Sequence, residues 1–297
     1  MLDKKNFILT FDVERYSFNN NNYIDSIIPS VAEQISILLD LLDKKNAKAT
    51  FFFTARFAEK SPKTLLLVKQ FGHEVGCHGY NHFDFYDSLC YDEQVKYLKK
   101  SKNIIENIIG SDVKSFRAPS LRINKQTVKA LETVGFKHDS SVASQRFDGP
   151  LTSGALKKTE WLFAPRGPYN PSSINPFSRG ESKIREFPIS SFFWAMTGTH
   201  LRLSPMMTGM LLKLLDKEAS FKNIPIVFLI HPNEFINFTR QSTSHRNNWF
   251  SDNLRHMIKM KNLGDKCYKL FNGFLEKLEE KEFIITSIKS YEKNNKY

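Results

Sequence analysis

An alternation of short apolar runs with amphipathic helical segments is the feature that most constrains how this chain folds. Residues Phe7 to Phe11 form the first apolar run, and a helical pattern that opens at Pro29 follows it. Strand-helix alternation of this kind is typical of a parallel sheet, either open or closed into a barrel. We therefore predict an α/β fold with strands over residues 7–11, 49–53, 73–77, 115–118, 136–138, 184–189, 226–230 and 283–286.

The helix boundaries are marked by prolines and glycines. Proline is favoured in the first turn of a helix and glycine just after the last turn. Pro29 therefore opens the first predicted helix, and Pro62 opens a second helix that ends at Gly72. We expect two more helices over residues 92–110 and 124–135, each closed by a glycine.

Two stretches interrupt the alternation. Residues 144–183 are rich in proline and in aromatic residues, so we expect an ordered excursion over the substrate side of the barrel. Residues 233–251 predict a second long loop, and residues 252–281 a helical segment before the last strand. Because 41% of the 297 residues are hydrophobic, one large core is feasible, and we expect a single domain over residues 1–297.

The formal net charge of +12 indicates attraction to an anionic partner, such as a phosphate-bearing substrate, a membrane surface or nucleic acid. The lysines are spread over the predicted helix faces, however, so a solvated surface explains the charge equally well. We expect peripheral membrane contact as one interpretation, and no nucleic-acid partner.

The apolar runs are too short to cross a membrane, and no secretory segment precedes the run that starts at Phe7. The three cysteines, Cys77, Cys90 and Cys267, are too few and too scattered for a disulfide framework or a cysteine-based zinc site. This pattern is typical of a reducing compartment. We therefore expect a soluble protein that works in the cytoplasm.

A pair of histidines suggests a metal site. His78 and His82 are four positions apart, a spacing that can aim both rings at one point. Neutral imidazole is the commonest protein ligand for a divalent transition metal. Two surface histidines are the alternative that this spacing alone leaves open.

Polar residues follow several of the predicted strands. Asp12 and Glu14 come after the first strand, and Arg117 and His231 follow strands further along the chain. His78 stands at the same kind of position. Because the carboxyl ends of parallel strands meet around one cleft, these side chains are expected to lie close together.

Five motifs occur in the order known from one enzyme family: Thr10-Phe11-Asp12, Gly72 to His82, Phe116 to Pro119, Asp139-Ser140-Ser141 and Leu229 to Pro232. Together they resemble the polysaccharide deacetylase family, the NodB-homology carbohydrate esterases. The resemblance implies a distorted (β/α) barrel of about seven parallel strands. It also implies a metal-assisted hydrolase that removes an N-acetyl or other N-acyl group from an amino sugar.

Motif position and chemistry together assign the roles near the metal. Glu14, His78 and His82 are the expected ligands of a divalent metal, with Zn²⁺ favoured and Co²⁺, Ni²⁺ or Fe²⁺ as alternatives. Two imidazoles and one carboxylate leave coordination sites open, as a catalytic metal requires. Asp12 is the candidate general base, and Arg117 is expected to keep it ionised.

The remaining roles concern the leaving group and the acyl pocket. His231 is the candidate general acid that protonates the leaving amine. The backbone of Ser120 is expected to donate to the developing oxyanion. Leu229 and Trp194 are expected to wall the acyl pocket, with core packing as the alternative for both.

The sequence departs from the common family pattern at two motifs. The second carboxylate of the first motif is Glu14, one position later than usual, although the period of two in an extended segment lets Asp12 and Glu14 point the same way. Ser120 stands where many members carry an aromatic ring. The sequence suggests no clear carboxylate partner for His231 except Asp139.

The predicted substrate is an N-acetylated amino sugar of a glycan or of its precursor, in surface-polysaccharide biosynthesis. A precursor would carry a nucleotide diphosphate or a polyprenyl phosphate, which suits a basic protein. Hydrolysis of a small amide or ureide, as in the allantoinase-like branch, is the alternative reaction. An inactive carbohydrate-binding module is the alternative outside enzymes, but such a module has no use for both an acid and a base.

Overall fold

Eight parallel strands form the main sheet of the protein in a computed structural model that describes residues 5–18, 22–146, 159–238 and 260–295. Seven of them follow the order β11-β1-β4-β5-β6-β7-β8, and β12 lies beside the first residues of β1. Two short antiparallel hairpins, β2-β3 and β9-β10, lie outside this sheet. The strands are β1 Asn6–Val13, β2 Tyr16–Ser17, β3 Asn22–Tyr23, β4 Thr50–Phe53, β5 Glu74–Cys77, β6 Ser115–Phe116, β7 His138–Asp139, β8 Arg185–Glu186, β9 Ser191–Phe192, β10 Trp194–Ala195, β11 Ile226–Ile230 and β12 Ile284–Thr286.

Helices connect the strands and cover the outside of the sheet. Gly110 and Gly135 adopt the left-handed conformation and end α4 and α5, as their positions in the sequence predict. Among the described residues, no helix is both long and apolar enough to span a bilayer. The helices are α1 Ile28–Lys44, α2 Ala55–Lys60, α3 Pro62–Gln70, α4 Tyr91–Ile109, α5 Thr127–Val134, α6 Gly198–Leu203, α7 Pro205–Lys222, α8 Asp265–Glu280 and α9 Ile288–Asn294.

The strands bury side chains on both faces, so the residues that the structure describes form two apolar clusters. The larger cluster lies between the sheet and the helices, where Phe7 packs against Phe228 and Phe274. A smaller cluster fills the inside of the barrel and includes Ile288 and Tyr291 of the C-terminal helix α9. Its other members come from four strands or their immediate continuations: Ile8, Phe52, Phe187 and Val227.

The barrel is distorted where β8 and β11 should meet. Within the described ranges these two strands do not pair directly, and the segment that follows β8 fills the gap instead. The Ser190 amide donates to the carbonyl of Val227 at 3.0 Å, and the Leu229 amide donates to the carbonyl of Met196 at 3.1 Å. The predicted fold, a distorted (β/α) barrel of about seven parallel strands, is confirmed.

The predicted strands and helices agree with the structure at most positions. Each predicted strand contains one strand of the main sheet or overlaps it, and α1, α3, α4 and α5 lie where they were expected. The helices α2, α6, α7 and α9 were not predicted. Of the helical segment expected over residues 252–281, only α8 falls within the described residues, and residues 147–158 of the predicted excursion and 239–251 of the second loop lie outside them.

Candidate active site and metal centre

The predicted site residues lie on the inner face of the barrel, at the carboxyl ends of its strands. In the register of the sheet Thr10 pairs with Leu229, so the two side chains point to the same side. Two residues further along, Asp12 and His231 continue this inner row on β1 and after β11. The period of two therefore brings a carboxylate and an imidazole to one end of the barrel.

Glu14, His78 and His82 form a group that fits a divalent metal. One potential ligand atom of each residue lies within 4.8 Å of the others. The Nε2 atom of His82 is 3.2 Å from a carboxylate oxygen of Glu14. Glu14 and His78 are buried, and two imidazoles with one carboxylate are the donor set of a catalytic metal site that keeps positions open.

The ring of His78 is fixed by a hydrogen bond on its far side. Its Nδ1 atom donates to the carbonyl of Arg117 at 2.8 Å, which leaves Nε2 available as a ligand. Burial lowers the pKa of His78 more than the neighbouring Asp12 raises it, so the ring is neutral at neutral pH. Neutral imidazole is the form that binds a metal.

The ring of His82 is held by an aromatic neighbour. Tyr23 stacks on it with 4.4 Å between the ring centroids and 19° between the planes. The Oγ of Ser120 lies 3.3 Å from Nε2 of His82. The hairpin β2-β3, which carries Tyr23, thus forms one wall of the candidate metal centre.

Asp12 lies against a fully buried arginine. A guanidinium nitrogen of Arg117 donates to Asp12 and to the hydroxyl of Thr10, each at 2.8 Å. The same side chain donates to the carbonyl and the hydroxyl of Ser140 and stacks over the ring of Phe52 at 4.5 Å. Burial raises the pKa of Asp12, but the charge of Arg117 and of the nearby histidines outweighs burial and lowers it. Asp12 is therefore ionised.

His231 has a carboxylate partner three residues further on. Its Nδ1 and its backbone amide lie 3.1 and 3.2 Å from Oε1 of Glu234, within a short 3₁₀ helix over Pro232–Phe235. The buried Arg202 of α6 donates to the other oxygen of Glu234. Burial acts to lower the pKa of His231, but Glu234 and the carboxylates of Glu14 and Asp12 raise it to about 9.

The comparisons with known proteins agree with this geometry. Residues 2–138 match the family model described as polysaccharide deacetylase. Over this region the chain is similar to the polysaccharide deacetylase family. A peptidoglycan deacetylase-like protein of Gibberella zeae is 32% identical over 108 residues, which are 36% of this chain and 32% of that protein. A chitooligosaccharide deacetylase of Azorhizobium caulinodans is 29% identical over 136 residues, which are 45% of this chain and 60% of that enzyme.

The chain thus spans between about a third and 60% of the length of these two curated relatives. A crystal structure from Mycobacterium smegmatis, described as a polysaccharide deacetylase, aligns with a TM-score of 0.65. It covers 99% of this chain and 91% of its own at 16% identity, so it shows the shared fold.

Within this polysaccharide deacetylase fold, the remaining predicted residues have different surroundings. Ser120 has a positive φ of 54° and lies beside His82. Leu229 is buried and shares the inner face with Thr10. Trp194 lies in the hairpin β9-β10 with 42% of its surface exposed. Roles of Ser120 as an oxyanion donor and of Leu229 and Trp194 as acyl-pocket walls stay predictions.

Asp139 is not the partner of His231, so that prediction is wrong. Asp139 accepts a hydrogen bond from the hydroxyl of Ser141 and pairs in register with Glu186 on the neighbouring strand. Burial and the proximity of Asp139 raise the pKa of Glu186 well above its ordinary value. The Asp139-Ser140-Ser141 motif contributes to the site through Ser140, which binds Arg117.

Sequence reasoning gave no role to four residues of the site: Thr10 and Ser140, which stand in the named motifs, and Glu234 and Arg202, which do not. Glu234 could have been found from its spacing. A glutamate three residues after the residue that caps a helical turn often accepts a hydrogen bond from the backbone amide of that capping residue, here His231. Arg202 gave no such signal, since it comes from a helix that was not predicted and lies 32 positions away from Glu234.

Proposed function

We propose that this protein is a metal-dependent N-deacetylase that removes an acetyl or other acyl group from an amino sugar. One observation carries the proposal. The metal-binding group Glu14, His78 and His82 shares one end of the barrel with an ionised carboxylate, Asp12, and an imidazole of raised pKa, His231. Amide hydrolysis needs an electrophilic centre, a base and an acid within reach of one bond.

The metal is a divalent cation held by Glu14, His78 and His82, with Zn²⁺ favoured over Co²⁺, Ni²⁺ or Fe²⁺. When bound, it would polarise the acyl carbonyl and make a water molecule more acidic. The protein contributes the fixed orientation of the two imidazoles, through the Arg117 carbonyl and the ring of Tyr23.

The proton transfers are assigned to Asp12 and His231. Asp12 accepts a proton from the attacking water as the new carbon–oxygen bond forms, and its own ionised form is maintained by Arg117. His231, protonated through its partnership with Glu234, donates its proton to the nitrogen as the carbon–nitrogen bond breaks. The products are a carboxylic acid, which ionises, and a free amino sugar. The proton that Asp12 takes from water equals the one that His231 gives to nitrogen, so exchange with solvent restores both residues and the reaction balances.

The substrate we propose is a precursor in surface-polysaccharide biosynthesis, linked to a nucleotide diphosphate or a lipid phosphate. The net charge of +12 supports an anionic substrate. The named relatives support an acetylated sugar, because they are described as peptidoglycan and chitooligosaccharide deacetylases. We place the reaction in the cytoplasm, where Cys77, Cys90 and Cys267, all free thiols here, would stay reduced.

The test is an acetate-release assay on the purified protein with Zn²⁺, Co²⁺ or a chelator present. The panel contains nucleotide-linked and lipid-phosphate-linked N-acetyl sugars, free N-acetylglucosamine, chitooligosaccharides, peptidoglycan and allantoin. We expect metal-dependent release from the phosphate-linked sugars, and loss of release in the chelator.

Each other outcome contradicts a stated part of the proposal. A preference for peptidoglycan or chitooligosaccharide would contradict the precursor substrate, and turnover of allantoin alone would favour the small-amide reaction. Sugar binding without release from any substrate would favour a binding module. Full activity after metal removal would exclude the metal-dependent reaction.

A further inference from the structure

The outer face of α7 exposes an uncommon number of large apolar side chains. Met206, Met207, Met210, Leu214 and Phe221 are between 37% and 88% exposed. At 100° per residue, these positions and Lys213 and Lys217 fall within about one third of the helix circumference. Soluble monomers rarely expose a continuous row of this kind, and such rows mark interaction surfaces.

The hairpin β9-β10 extends this row sideways. Phe192, Phe193 and Trp194 are 43%, 59% and 42% exposed. Arg166 joins the two elements, because it forms an ion pair with Glu218 of α7, donates to the carbonyl of Ser191 and lies 5.4 Å from the ring of Phe192. We call the exposed row of α7 together with residues 192–194 the α7 surface.

The charge on the α7 surface is positive. Lys213 and Lys217 are exposed along one side of the row, and neither forms an ion pair with any residue in the described ranges. The two acidic residues of α7 are already neutralised by other cations. Asp216 binds Lys5 and Lys281, and Glu218 binds Arg166 and Lys222.

We propose that the α7 surface docks onto an anionic lipid bilayer. Amphipathic helices that lie in the membrane interface combine apolar side chains with lysines that contact lipid phosphates, and exposed aromatic rings settle at the headgroup level. A second copy of the chain is a poorer occupant. A twofold contact through this face would place Lys213 and Lys217 against their own equivalents, with no acid of α7 left to compensate.

The start of α7 lies at the same end of the barrel as the candidate active site, so membrane docking would affect which substrate the site can reach. The preceding helix α6 packs at the carboxyl end of β11, where a side chain at Gly198 would meet Ile230 and Glu234. The start of α7 therefore lies at the same end of the barrel as His231. If the proposed function holds, docking brings the site next to lipid-linked substrate in the same membrane.

Vesicle flotation tests the docking surface without any catalytic readout. The full chain is mixed with vesicles of phosphatidylcholine alone or of phosphatidylcholine with phosphatidylglycerol. We expect binding to the anionic vesicles only, weakened by high salt. The variant Lys213→Glu/Lys217→Glu and the variant Met206→Gln/Met210→Gln/Leu214→Gln should each reduce binding about tenfold or more.

Matched controls alter the same residue types on other helices: Lys96→Glu/Lys99→Glu on α4, and Ile37→Gln/Leu66→Gln on α1 and α3. Both controls should bind like the parent protein, and circular dichroism checks that all variants fold. Equal binding by the parent and the α7 variants, or a dimer that the α7 variants dissociate, would overturn the proposal. Vesicle binding without acetate release would contradict the proposed function but would still support the proposed docking surface.

Discussion

At the scale of single residues, the carboxylate of Glu234 decides whether His231 can serve as an acid. The imidazole is protonated below a pKa of about 9, because Glu234 and two further carboxylates outweigh the effect of burial. Glu234 is itself held ionised by the charge of Arg202, which, with His231, lowers the pKa of the carboxyl to about 2 despite its burial. In the proposed mechanism Glu234 is thus a positioning residue that acts through His231.

We predict that Glu234→Gln moves the alkaline limb of the pH–rate profile to lower pH. In the proposed mechanism the protonated imidazole is the active form, so activity should be lost as pH rises through the pKa of His231. Removing the charge of Glu234 lowers that pKa, and the loss should begin earlier. The measurement is kcat/KM for acetate release against pH.

The matched control for this change is Glu280→Gln, an exposed carboxylate on α8. It should leave the alkaline limb where it is in the parent protein. Because Glu234→Gln leaves the buried Arg202 without its charge partner, a loss of stability of about 3–5 kcal/mol is also expected. An unchanged limb in a folded Glu234→Gln variant would assign the control of His231 to other groups.

A second prediction separates metal ligands from the general base. His78→Ala should lose both bound metal and turnover, whereas Asp12→Asn should keep the metal and lose about 10²–10⁴-fold in kcat. The distinction needs testing because an oxygen of Asp12 lies only 3.9 Å from Nε2 of His78. Metal content is measured by elemental analysis, with His200→Ala as a control that should retain metal. Loss of metal in Asp12→Asn would make Asp12 a ligand.

The sequence predicted the residues that follow strands but not those that support them. Asp12, His78, Arg117 and His231 each follow an apolar run, so their convergence is a consequence of parallel topology. The partner of His231 could not be chosen in this way, because Asp139 also ends a strand. The spacing of Glu234 from His231 points to a contact with the backbone amide, and the fold adds that the same 3₁₀ turn brings Glu234 to the imidazole.

At the scale of elements, α7 explains why part of the helical structure was missed. Prediction from sequence depends on a separation of apolar and polar faces. In α7, Leu211 and Leu215 are buried, but Met206, Met210 and Leu214 on the outer face are apolar as well. A helix that is apolar on both sides has no clear periodicity, and this property also marks it as an interaction surface.

The strand β5 gives a third prediction, at the same scale. A methyl group on Gly76 would lie 2.6 Å from a ring carbon of Phe52 and 3.1 Å from the carbonyl of Ser115. Since Phe52 supports the guanidinium of Arg117, Gly76→Ala should cost about 1–3 kcal/mol of stability through overpacking and should lower kcat as well. Urea denaturation and the acetate assay measure the two effects.

Gly273→Ala is the control for this substitution. Gly273 lies inside α8 with nothing within 4 Å of an added methyl group. Alanine is a better helix former than glycine, so this variant should gain roughly 0.5–1 kcal/mol and keep full activity. A neutral effect of Gly76→Ala on both stability and kcat would mean that Phe52 can move without disturbing Arg117.

At the scale of the whole molecule, the candidate active site and the helix that closes the barrel lie at opposite ends of the barrel axis. The candidate catalytic groups lie at the carboxyl ends of the strands, and the C-terminal helix α9 packs at the opposite end. The amides of Ile288 and Lys289 at the start of α9 donate to Thr50 and Glu74, at 3.0 and 2.8 Å. Buried acceptors inside the barrel thus fix the helix that closes it.

The final prediction follows from this separation. Ile288 is completely buried in the inner cluster, so Ile288→Ala should leave a cavity and reduce the free energy of unfolding by about 2–5 kcal/mol. The metal affinity and kcat of the folded fraction should stay within about threefold of the parent values, which corresponds to about 0.65 kcal/mol. The reason is that Ile288 lies beside the start of β4, at the end of the barrel away from the candidate site. Ile284, which is 41% exposed on β12, provides the control, and Ile284→Ala should lose much less stability. Thermal unfolding and metal titration of both variants decide the matter: a large loss of metal affinity in folded Ile288→Ala would show that the two ends of the barrel are coupled.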